Sequence, residues 1–583
     1  MSQLNRSHVL LAILFGVWFV AEICAMPFGN FPLNDDWNYA VSVKQLLEQG
    51  GLTITVWSLA ASLTHILTGA AVTSVFGFSF EILRLTTVAW SVIGALCFYM
   101  LLRRYGTDDP VLATIATGCL VFNPIYFELS NTFMTDVPFV ALSLLSMLFL
   151  MRAVDLADYR NAAVATATTA AACLMRQVGL VIPISSALVA LSIKDEAPKS
   201  RRWLTALMPL AITGIAVLAF QAWFHSSGVK SFSYITETAY LQQRFGQGIV
   251  PLTIDALKLL MIAIIYLGLF IIPVAPFLAR QLKNALSKQE WTFLMLFISE
   301  MTVLIFGGLL YAHRMMPLGD NILFDFGLGP IFTGGSLQPG YWESAHPIAW
   351  MVLTFLATAC GSLATGALAI FLLQKKRGLT FQPIVYLPLL IVVLHLTIIC
   401  LRGYFDRYLI FTLPFMLLAL IGFCNSRPQG SREWSNFELF PGVAALAAFM
   451  YFSSAGTHDY FAFNRAKWES LEYLRTQAGV SPMLIDGGLE FNGWYSYAMQ
   501  KSGQAAPSTN MLSQPLPSHS EPGESQNNSG PAQINFDPSM KHGDEFIVSL
   551  TGQPGYRDVR QTNFDRWLIP STGTIHVLRK LHY

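Results

Sequence analysis

Long apolar runs recur along the chain and restrict its fold more than any other feature of the sequence. A helical span needs about 20 apolar residues, because the hydrocarbon core of a bilayer is about 30 Å thick. Thirteen apolar runs, of which the fifth and sixth are short, lie at residues 8–28, 81–102, 110–127, 137–153, 161–175, 177–193, 203–224, 256–279, 292–312, 347–373, 382–400, 408–424 and 439–455. The pattern predicts a polytopic α-helical membrane protein with about 13 transmembrane helices.

The composition agrees with this prediction and excludes other classes. Of the 583 residues 12% are charged and 54% are hydrophobic, and the formal net charge is +1. Soluble domains carry about 25% charged residues. A soluble globular protein, a disordered chain and a nucleic-acid binder that relies on net positive charge are therefore excluded. Segment 53–76, apolar but interrupted by Ser, Thr, His and Gly, is expected at the membrane interface or packed against the bundle.

Basic residues gather in alternate connections between the apolar runs, and this sidedness predicts the orientation. Cytoplasmic loops carry an excess of Lys and Arg. The connections concerned contain Arg6, Arg103, Arg104, Arg152, Arg160, Lys194, Lys199, Arg201, Arg202, Arg280, Lys283, Lys288, Lys375, Lys376, Arg377, Arg427 and Arg432. The N-terminus is therefore predicted to be cytoplasmic, with the first run an uncleaved anchor. An odd number of spans then places the C-terminus on the outer side of the membrane.

The composition changes after residue 456, which predicts a membrane domain over 1–456 and a small periplasmic α/β domain over 457–583. Residues 464–477 have the spacing of an amphipathic helix. Strands are predicted in "PMLIDGG", "EFIVSL", "RWLIP" and "TIHVLRKL", and a low-complexity loop over 502–540. This part of the sequence contains neither a Gly-rich phosphate loop nor a nucleophile elbow, so we expect the chemistry elsewhere.

Two adjacent carboxylates, Asp35 and Asp36, follow the first span in "FPLNDDWNYA". Neighbouring carboxylates repel unless a cation or a proton lies between them. They could bind a divalent ion, or one could act as a general base with a raised pKa. The alternative is a solvated loop in which an Asp caps the next helix.

The second predicted outer loop, "NPIYFELSNTFMTDVPF", holds Asp136 directly before the fourth span. A helix cap explains this position, and a capping Asp at the outer surface can also contact a ligand. Glu128 is a weaker candidate in the same loop. The long loop 313–346 contains Asp320 and Asp325 among glycines; it is a substrate lid or simply a long connection.

Arginines lie at two further outer boundaries, Arg176 in "LMRQVGL" and Arg402 and Arg407 in "RGYFDRYLIFTLPF". Arg176 could bind a phosphate or extend its side chain to the interface. Arg407 could hold a phosphate. Alternatively, Arg407 pairs with Asp406 as an interfacial anchor, beside Tyr408 as an aromatic of the interface.

His65, in "SLTHILTG", also has two interpretations. It is either a core or interface residue or a group that contacts a ligand. The sequence does not decide between them.

These stretches, in this order, resemble the GT-C superfamily of membrane glycosyltransferases. The resemblance is greatest to the branch that contains protein O-mannosyltransferases and bacterial lipid A aminoarabinose transferases. It is carried by "NDDWNYA", "VFGFSFEILRLTTVAWSVIGALCFYMLLRRYG", "FNPIYFELSNTFMTDVPFVAL", "LMRQVGL" and "DRYLIFTLPF". Thirteen spans followed by an outer domain is also the architecture of that branch.

The resemblance implies transfer of a sugar from a polyprenyl-phosphate donor to an acceptor hydroxyl on the outer face, with inversion at the anomeric carbon. Asp35 or Asp36 would be the general base, and Asp136 would help to hold the acceptor or a metal. Arg176 and Arg407 would bind the phosphate. Further contacts with the substrates would come from Arg402, Tyr408 and His65.

Some GT-C enzymes use a divalent cation and others do not, so Asp35, Asp36 and Asp136 are the expected ligands of a cation if one binds. The acceptor, whether glycan, lipid or protein, and the identity of the sugar stay open. Two alternative functions also stay open: a transporter or flippase of a lipid-linked saccharide, and a non-catalytic envelope assembly protein acting through its outer domain.

Overall fold

The computed structural model of the protein describes most of the chain, and most of the described residues are helical. The described residues are 3–52, 54–55, 62–156, 158–192, 199–227, 232–318, 322–323, 347–374, 383–425, 434–501, 543, 545–568 and 571–582. The helices before residue 200 are α1 (Gln3–Ala25), α2 (Asp36–Gln49), α3 (Leu63–Phe76), α4 (Phe80–Leu101), α5 (Pro110–Val121), α6 (Pro124–Ser130), α7 (Asp136–Leu156), α8 (Tyr159–Met175) and α9 (Val181–Ser192). The later helices are α10 (Lys199–Ser226), α11 (Phe232–Gly246), α12 (Ile249–Phe270), α13 (Ala275–Ala285), α14 (Lys288–Tyr311), α15 (Pro347–Gln374), α16 (Pro383–Arg402), α17 (Leu409–Asn425), α18 (Asn436–Glu472) and α19 (Leu489–Lys501).

The structure confirms the polytopic helical class. Among the described residues, ten helices are long and apolar enough to cross a membrane. They coincide with ten of the thirteen predicted runs. The other three runs form shorter or bent helices: α5 and α6 meet at an angle of 64°, the Ala- and Thr-rich α8 has 17 residues, and Gln177–Ala190 is a short apolar helical segment.

The bend between α5 and α6 has a local cause in the sequence. Asn123 accepts hydrogen bonds from the backbone N–H groups of Ile125 and Tyr126, and Pro124 occupies the first position of α6. An Asn cap followed by Pro is a strong signal for a new helix start. The chain therefore turns here and directs the following loop toward the start of α7.

Helix α17 lies at the centre of the bundle. Every residue from Leu409 to Cys424 is buried. A helix that is apolar on all sides is stable only where other helices surround it. The short 3-10 turn Asp406–Tyr408 directly precedes this helix, so the fixed position of α17 also fixes the polar side chains of the turn.

Helices α2 and α3 pack on the bundle at the end where α1 finishes. Ala40 and Val43 of α2 form a core cluster with Ile66 of α3 and Leu83 of α4. The expectation that the segment around 53–76 packs against the bundle is met for the part that forms α3. Residues 53 and 56–61 lie outside the described residues.

Helix α18 is continuous from Asn436 to Glu472 and passes through the expected domain boundary at residue 456. The chain beyond it forms a sheet of four strands: β1 (Ile485–Asp486), β2 (Phe546–Ser549), β3 (Tyr556–Asp565) and β4 (Thr572–Lys580). The strand order is β1-β2-β4-β3, with β1 and β2 parallel and the other pairs antiparallel. The C-terminal α/β domain is therefore present, and the low-complexity stretch 502–540 lies outside the described residues.

One strand prediction is wrong. The stretch "RWLIP" was expected to form a strand, but β3 ends at Asp565, before it. The backbone N–H groups of Trp567 and Leu568 instead donate to the buried carboxylate of Asp459 on α18, at 2.7 and 3.0 Å. Because Asp459 takes both donors, they are not available to a neighbouring strand.

Helices α12 and α15 cross at very short range through two glycines. A Cβ atom on Gly268 would lie 1.9 Å from the carbonyl oxygen of Ala357, and one on Gly361 would lie 2.4 Å from that of Ile264. Small residues at such crossings let two backbones approach closely, which is a main source of helix association in membranes.

Gly268→Val should therefore destabilise the protein. The added methyl groups have no space, and overpacking costs about 1–3 kcal/mol or more. A lower midpoint of thermal unfolding in detergent would show it. Gly308→Val on α14 is the control, since no atom lies within 4 Å of its Cβ position; equal midpoints for the two variants would contradict the crossing.

Candidate functional site

Asp35 stands at the start of α2 and reaches across the bundle. It occupies the capping position, but its side chain caps no backbone N–H of the helix. Its Oδ2 instead lies 3.2 Å from Nη2 of Arg407, in the 3-10 turn before α17. The Asp35 side chain is 38% exposed, whereas that of Arg407 is 8% exposed. The predicted acidic loop and the predicted basic boundary therefore meet, with Asp35 still open to solvent.

Asp36 points the other way and is fully buried. Its Oδ1 accepts a hydrogen bond from the backbone N–H of Leu33 at 2.7 Å, and its Oδ2 accepts one from Phe133 at 3.2 Å. Burial raises the pKa of Asp36 to about 7, against the opposing effects of the Arg84 charge and the two backbone donors. Asp36 thus joins the loop after α1 to the loop before α7, and neither oxygen faces solvent.

Asp136 and Arg176 form the second ion pair of the site. Asp136 begins α7, and Arg176 follows α8 in an extended conformation with φ −145°. Asp136 Oδ1 and Arg176 Nη1 are 2.5 Å apart, with the Asp136 side chain enclosed and that of Arg176 18% exposed. The break between α8 and the next helical turn therefore places a cation directly at the start of α7.

Two tyrosines connect the ion pairs. The guanidinium groups of Arg176 and Arg407 lie 4.9 and 5.9 Å from the centroid of the Tyr408 ring. Tyr39, one helical turn after Asp35, interacts electrostatically with Asp35, Arg176, Arg407 and Asp136, and burial raises its pKa to about 12. The two pairs therefore share one polar site at one end of the bundle. We call Asp35, Asp136, Arg176, Arg407 and Tyr408 the charged cluster.

Arg407 has hydrogen-bonding capacity that the described residues do not use. Its Nε and Nη1 are buried and have no acceptor among them, while Nη2 faces Asp35. A guanidinium carries five N–H donors in a fixed fork that suits carboxylates and phosphates. This arginine can therefore accept a further anionic partner without releasing Asp35.

Glu128, on the short helix α6, is enclosed near the charged cluster. Both of its carboxylate oxygens are buried without a hydrogen-bond partner among the described residues. Its electrostatic neighbours include Asp36, Asp136 and Arg407. The structure thus places this weaker candidate behind the cluster, where no substrate reaches it in this conformation.

The remaining predicted residues lie at the margin of the cluster. His65 is buried behind it: its Nε2 is 3.1 Å from the carbonyl oxygen of Phe133, and its ring stacks on that of Phe133. Burial lowers the pKa of His65 to about 4, so the ring is neutral. It supports the loop before Asp136 and has no surface for a ligand. Arg402 is paired with Glu237 of α11.

Asp406 does not pair with Arg407 as an interfacial anchor. Its carboxylate accepts the backbone N–H groups of Ile322 and Leu323, at 3.0 and 2.8 Å. It therefore holds the described residues 322 and 323 of the long loop after α14 against the 3-10 turn. Asp320 and Asp325, the other candidates of that loop, lie outside the described residues.

The three candidate metal ligands do not fit a shared divalent cation. Asp36 accepts hydrogen bonds from two backbone N–H groups, and Asp35 is paired with Arg407. Asp136 is paired with Arg176 through Oδ1, while its buried Oδ2 has no partner among the described residues. Within the part of the chain that the structure describes, no three His, Cys, Asp or Glu side chains lie close enough to hold a metal ion. In this arrangement the positive charge beside the carboxylates comes from arginine.

Some residues of the site were not predicted from the sequence. Tyr39 could have been found, because a residue four positions after Asp35 lies on the same face of a helix. Arg84 could not: it donates to the backbone carbonyls of Gly29 and Phe31, more than 50 residues away. Glu237, the partner of Arg402, has no signal in the sequence beyond its charge.

One known protein family is similar to part of the chain. Residues 63–224 match the family described as dolichyl-phosphate-mannose-protein mannosyltransferase. The matched segment includes His65, Asp136 and Arg176. Over this segment the match agrees with the resemblance to protein O-mannosyltransferases noted in the sequence. No curated protein matches the chain.

Three solved structures that match the chain have low sequence identity and TM-scores below 0.5. ArnT from Cupriavidus metallidurans in the apo state is 12% identical, with a TM-score of 0.37, over 84% of this chain and 84% of that chain. The same protein bound to undecaprenyl phosphate is 14% identical, with a TM-score of 0.37, over 84% and 83% of the two chains. The archaeal oligosaccharyltransferase AglB from Archaeoglobus fulgidus, in complex with an inhibitory peptide and a dolichol-phosphate, is 13% identical, with a TM-score of 0.42, over 88% of this chain and 61% of that chain.

Asp36→Asn should weaken the fold. An amide group can accept only one of the two backbone hydrogen bonds, and its N–H faces the other donor, which costs about 1–3 kcal/mol. The midpoint of thermal unfolding in detergent would fall. Asp255→Asn is the control, because Asp255 forms an exposed pair with Lys258 and such pairs contribute little. An unchanged midpoint for Asp36→Asn would show that this carboxylate does not hold the two loops together.

Proposed function

We propose that the protein is a glycosyltransferase that moves a sugar from a polyprenyl-phosphate donor to a hydroxyl of an acceptor on the outer face of the membrane. The proposal has three parts: a general base, a phosphate site and an orientation. The observation that carries it is the charged cluster, in which a partly exposed carboxylate lies beside an arginine with unused donors. The match of residues 63–224 to a mannosyltransferase family supports the reaction class.

Asp35 is the proposed general base. It is the only carboxylate of the charged cluster with substantial exposure, because Asp136 is enclosed by its partner. A general base must reach the proton that it removes. Asp36, the other candidate from the sequence, is buried with both oxygens occupied. Asp35 is therefore preferred to Asp36, and Asp136 serves to hold Arg176 in place.

Arg407 and Arg176 are the proposed phosphate site. Arg407 has two buried N–H groups without an acceptor among the described residues, and Arg176 is partly exposed beside the same tyrosine ring. Both arginines also carry a carboxylate partner, which keeps their side chains in place before the substrate binds. Preorganised cations of this kind stabilise the charge of a leaving phosphate as it develops.

The proposed reaction is a single displacement with inversion. The acceptor oxygen attacks the anomeric carbon while its proton passes to Asp35. The bond between the anomeric carbon and the phosphate oxygen breaks, and the electron pair leaves with the polyprenyl phosphate. Arg407 and Arg176 balance the charge of that group. The family description names dolichyl-phosphate-mannose, a donor of this chemical class.

The proposed orientation puts the charged cluster on the outer face. The multi-pass helical structure agrees with a membrane protein, and the distribution of Lys and Arg among the loops favours a cytoplasmic N-terminus. Asp35 follows α1 in the chain. If α1 begins on the cytoplasmic side, the charged cluster lies on the opposite, outer side. The C-terminal sheet is then periplasmic, in an inner membrane of a bacterium.

Asp35→Asn should abolish sugar transfer without unfolding the protein. The amide cannot accept the proton, and loss of a general base lowers kcat by about 10²–10⁴-fold. Transfer of radiolabelled sugar from lipid-linked donor to acceptor, in membranes or detergent, measures it. The matched control is Asp255→Asn, whose exposed pair with Lys258 includes no residue of the charged cluster.

Retained transfer in Asp35→Asn would remove the proposed base. A second outcome would favour a different function: if the wild-type protein moves the labelled lipid-linked saccharide across vesicle membranes but breaks no glycosidic bond, the protein is a flippase.

Arg176→Gln should weaken binding of the donor more than binding of the acceptor. A hydrogen bond to a charged group contributes about 1.5–3 kcal/mol, so the KM for the donor should rise about tenfold or more. Initial-rate kinetics with each substrate varied separately measures it. Arg244→Gln is the control: this arginine lies on α11 and bonds to Tyr240 and the Cys400 carbonyl. An unchanged donor KM would rule out the phosphate contact.

A further inference from the structure

Helix α19 of the C-terminal domain is seated directly on α2, the helix that carries Asp35. A Cβ atom on Gly493 would lie 2.5 Å from the Trp37 ring, so only glycine allows the two helices to come this close. Trp494 packs edge to face against Phe80, with ring centroids 5.1 Å apart. Lys44 of α2 lies 5.6 Å from the centre of the Trp494 ring. The outer domain therefore contacts the helix on which the proposed base is mounted.

Glu490, in the first turn of α19, makes the polar contact of this interface. Its Oε1 accepts a hydrogen bond from the backbone N–H of Asn34 at 3.3 Å, and its Oε2 accepts one from Lys467 Nζ at 2.9 Å. The Glu490 side chain is 9% exposed and that of Lys467 is 11% exposed. An ion pair of the C-terminal part of the chain thus binds the residue directly before Asp35.

Asn34 is a position at which the backbone needs support. Its φ is +54°, in the left-handed region that non-glycine residues rarely occupy, although Asn tolerates it best. The chain turns there so that Asp35 can face Arg407 while Asp36 faces inward. A hydrogen bond from the Asn34 N–H to a fixed carboxylate favours this conformation.

Glu490 is itself rigidly held. Asn492 donates to Asp486 of β1 at 2.9 Å and accepts from the backbone N–H of Gly487 at 3.0 Å, which ties the start of α19 to the sheet. Lys467 belongs to α18, the helix that rises from the membrane. The carboxylate therefore lies where the sheet, the last span and the first outer loop meet.

Glu490 is not required merely to attach the domain. The sheet is joined to α18 by a separate contact, in which Asp459 accepts the backbone N–H groups of Trp567 and Leu568 and pairs with Arg566. Aromatic packing of Trp494 holds α19 independently. A buried ion pair contributes little to stability on balance. The hydrogen bond from the Asn34 N–H to Glu490 therefore indicates a role other than stability.

We propose that Glu490 is a positioning residue for Asp35, and that the C-terminal domain thereby controls the activity of the charged cluster. The inference rests on the proposed function, because it assigns Asp35 the role of base. Without the Glu490 carboxylate the Asn34 turn relaxes and Asp35 loses its alignment with the acceptor hydroxyl. The donor site changes less, because Arg176 keeps its own partner Asp136 and the Arg407 side chain is enclosed by the protein.

The test compares Glu490→Ala and Glu490→Gln with the wild type in the full-length protein. Glu490→Ala should lower kcat about tenfold or more, because small misplacements of catalytic groups have large effects on rate. The KM for the lipid-linked donor should stay within about twofold. Glu490→Gln should be intermediate in kcat, because its amide oxygen can still accept from Asn34.

The matched control is Glu469→Ala. It removes an exposed ion pair between Glu469 of α18 and Arg560 of β3, which does not involve α2. Its kcat should equal that of the wild type. Gly493→Ala gives an independent probe: it pushes α19 away from Trp37 without removing a polar group, and it should lower kcat in the same way.

The outcomes separate the two proposals. If Asp35→Asn is inactive while both Glu490 variants keep the wild-type kcat, the positioning role is overturned and the proposed function stands. If Asp35→Asn is active, the proposed base fails whatever the Glu490 variants do. A rise in donor KM with unchanged kcat would also overturn the positioning role. Where Glu490→Ala does not accumulate in the membrane, the kcat of Glu490→Gln decides.

Discussion

The ion pair between Asp35 and Arg407 is the contact on which the rest of the site depends. It joins residues 372 positions apart, from the loop after the first span and the turn before the central helix α17. Charged groups at the edge of a membrane domain are stable only when paired or solvated. Asp35 and Arg407 are paired with each other, and Asp35 is also open to solvent. Around it, Tyr39 and Tyr408 bring in Arg176 and Asp136, so that two cations and two carboxylates share one polar site.

The adjacent residues Asp35 and Asp36 have different environments because a helix begins between them. Successive residues of an α-helix point about 100° apart. Asp36 is consequently directed into the protein, where backbone N–H groups from two loops meet it, whereas Asp35 stays outside and meets Arg407. The repulsion expected from two neighbouring carboxylates is thus relieved by separate donors. This arrangement also explains why the three carboxylates together are unsuited to a single metal ion.

The sequence predicts the class of fold and the face on which the site lies, because both depend on local composition. Span length follows from runs of apolar residues, and the outer position of Asp35, Asp136, Arg176 and Arg407 follows from their place between those runs. The partners of these side chains depend on packing between distant segments, which local patterns do not encode. Thus one of the two interpretations of Arg407 paired it with the neighbouring Asp406, yet Asp406 binds the backbone of Ile322 and Leu323. The same limitation applies to Glu490, 456 positions from Asn34.

The unbroken course of α18 has a mechanical consequence. Its 37 residues correspond to a rod of about 55 Å, longer than the hydrocarbon layer is thick. No hinge separates the part inside the lipid from the part that supports the sheet. A change in the tilt of this rod would therefore move the sheet that packs on its C-terminal part. Because α19 contacts α2, such a movement would also reach the helix that carries Asp35.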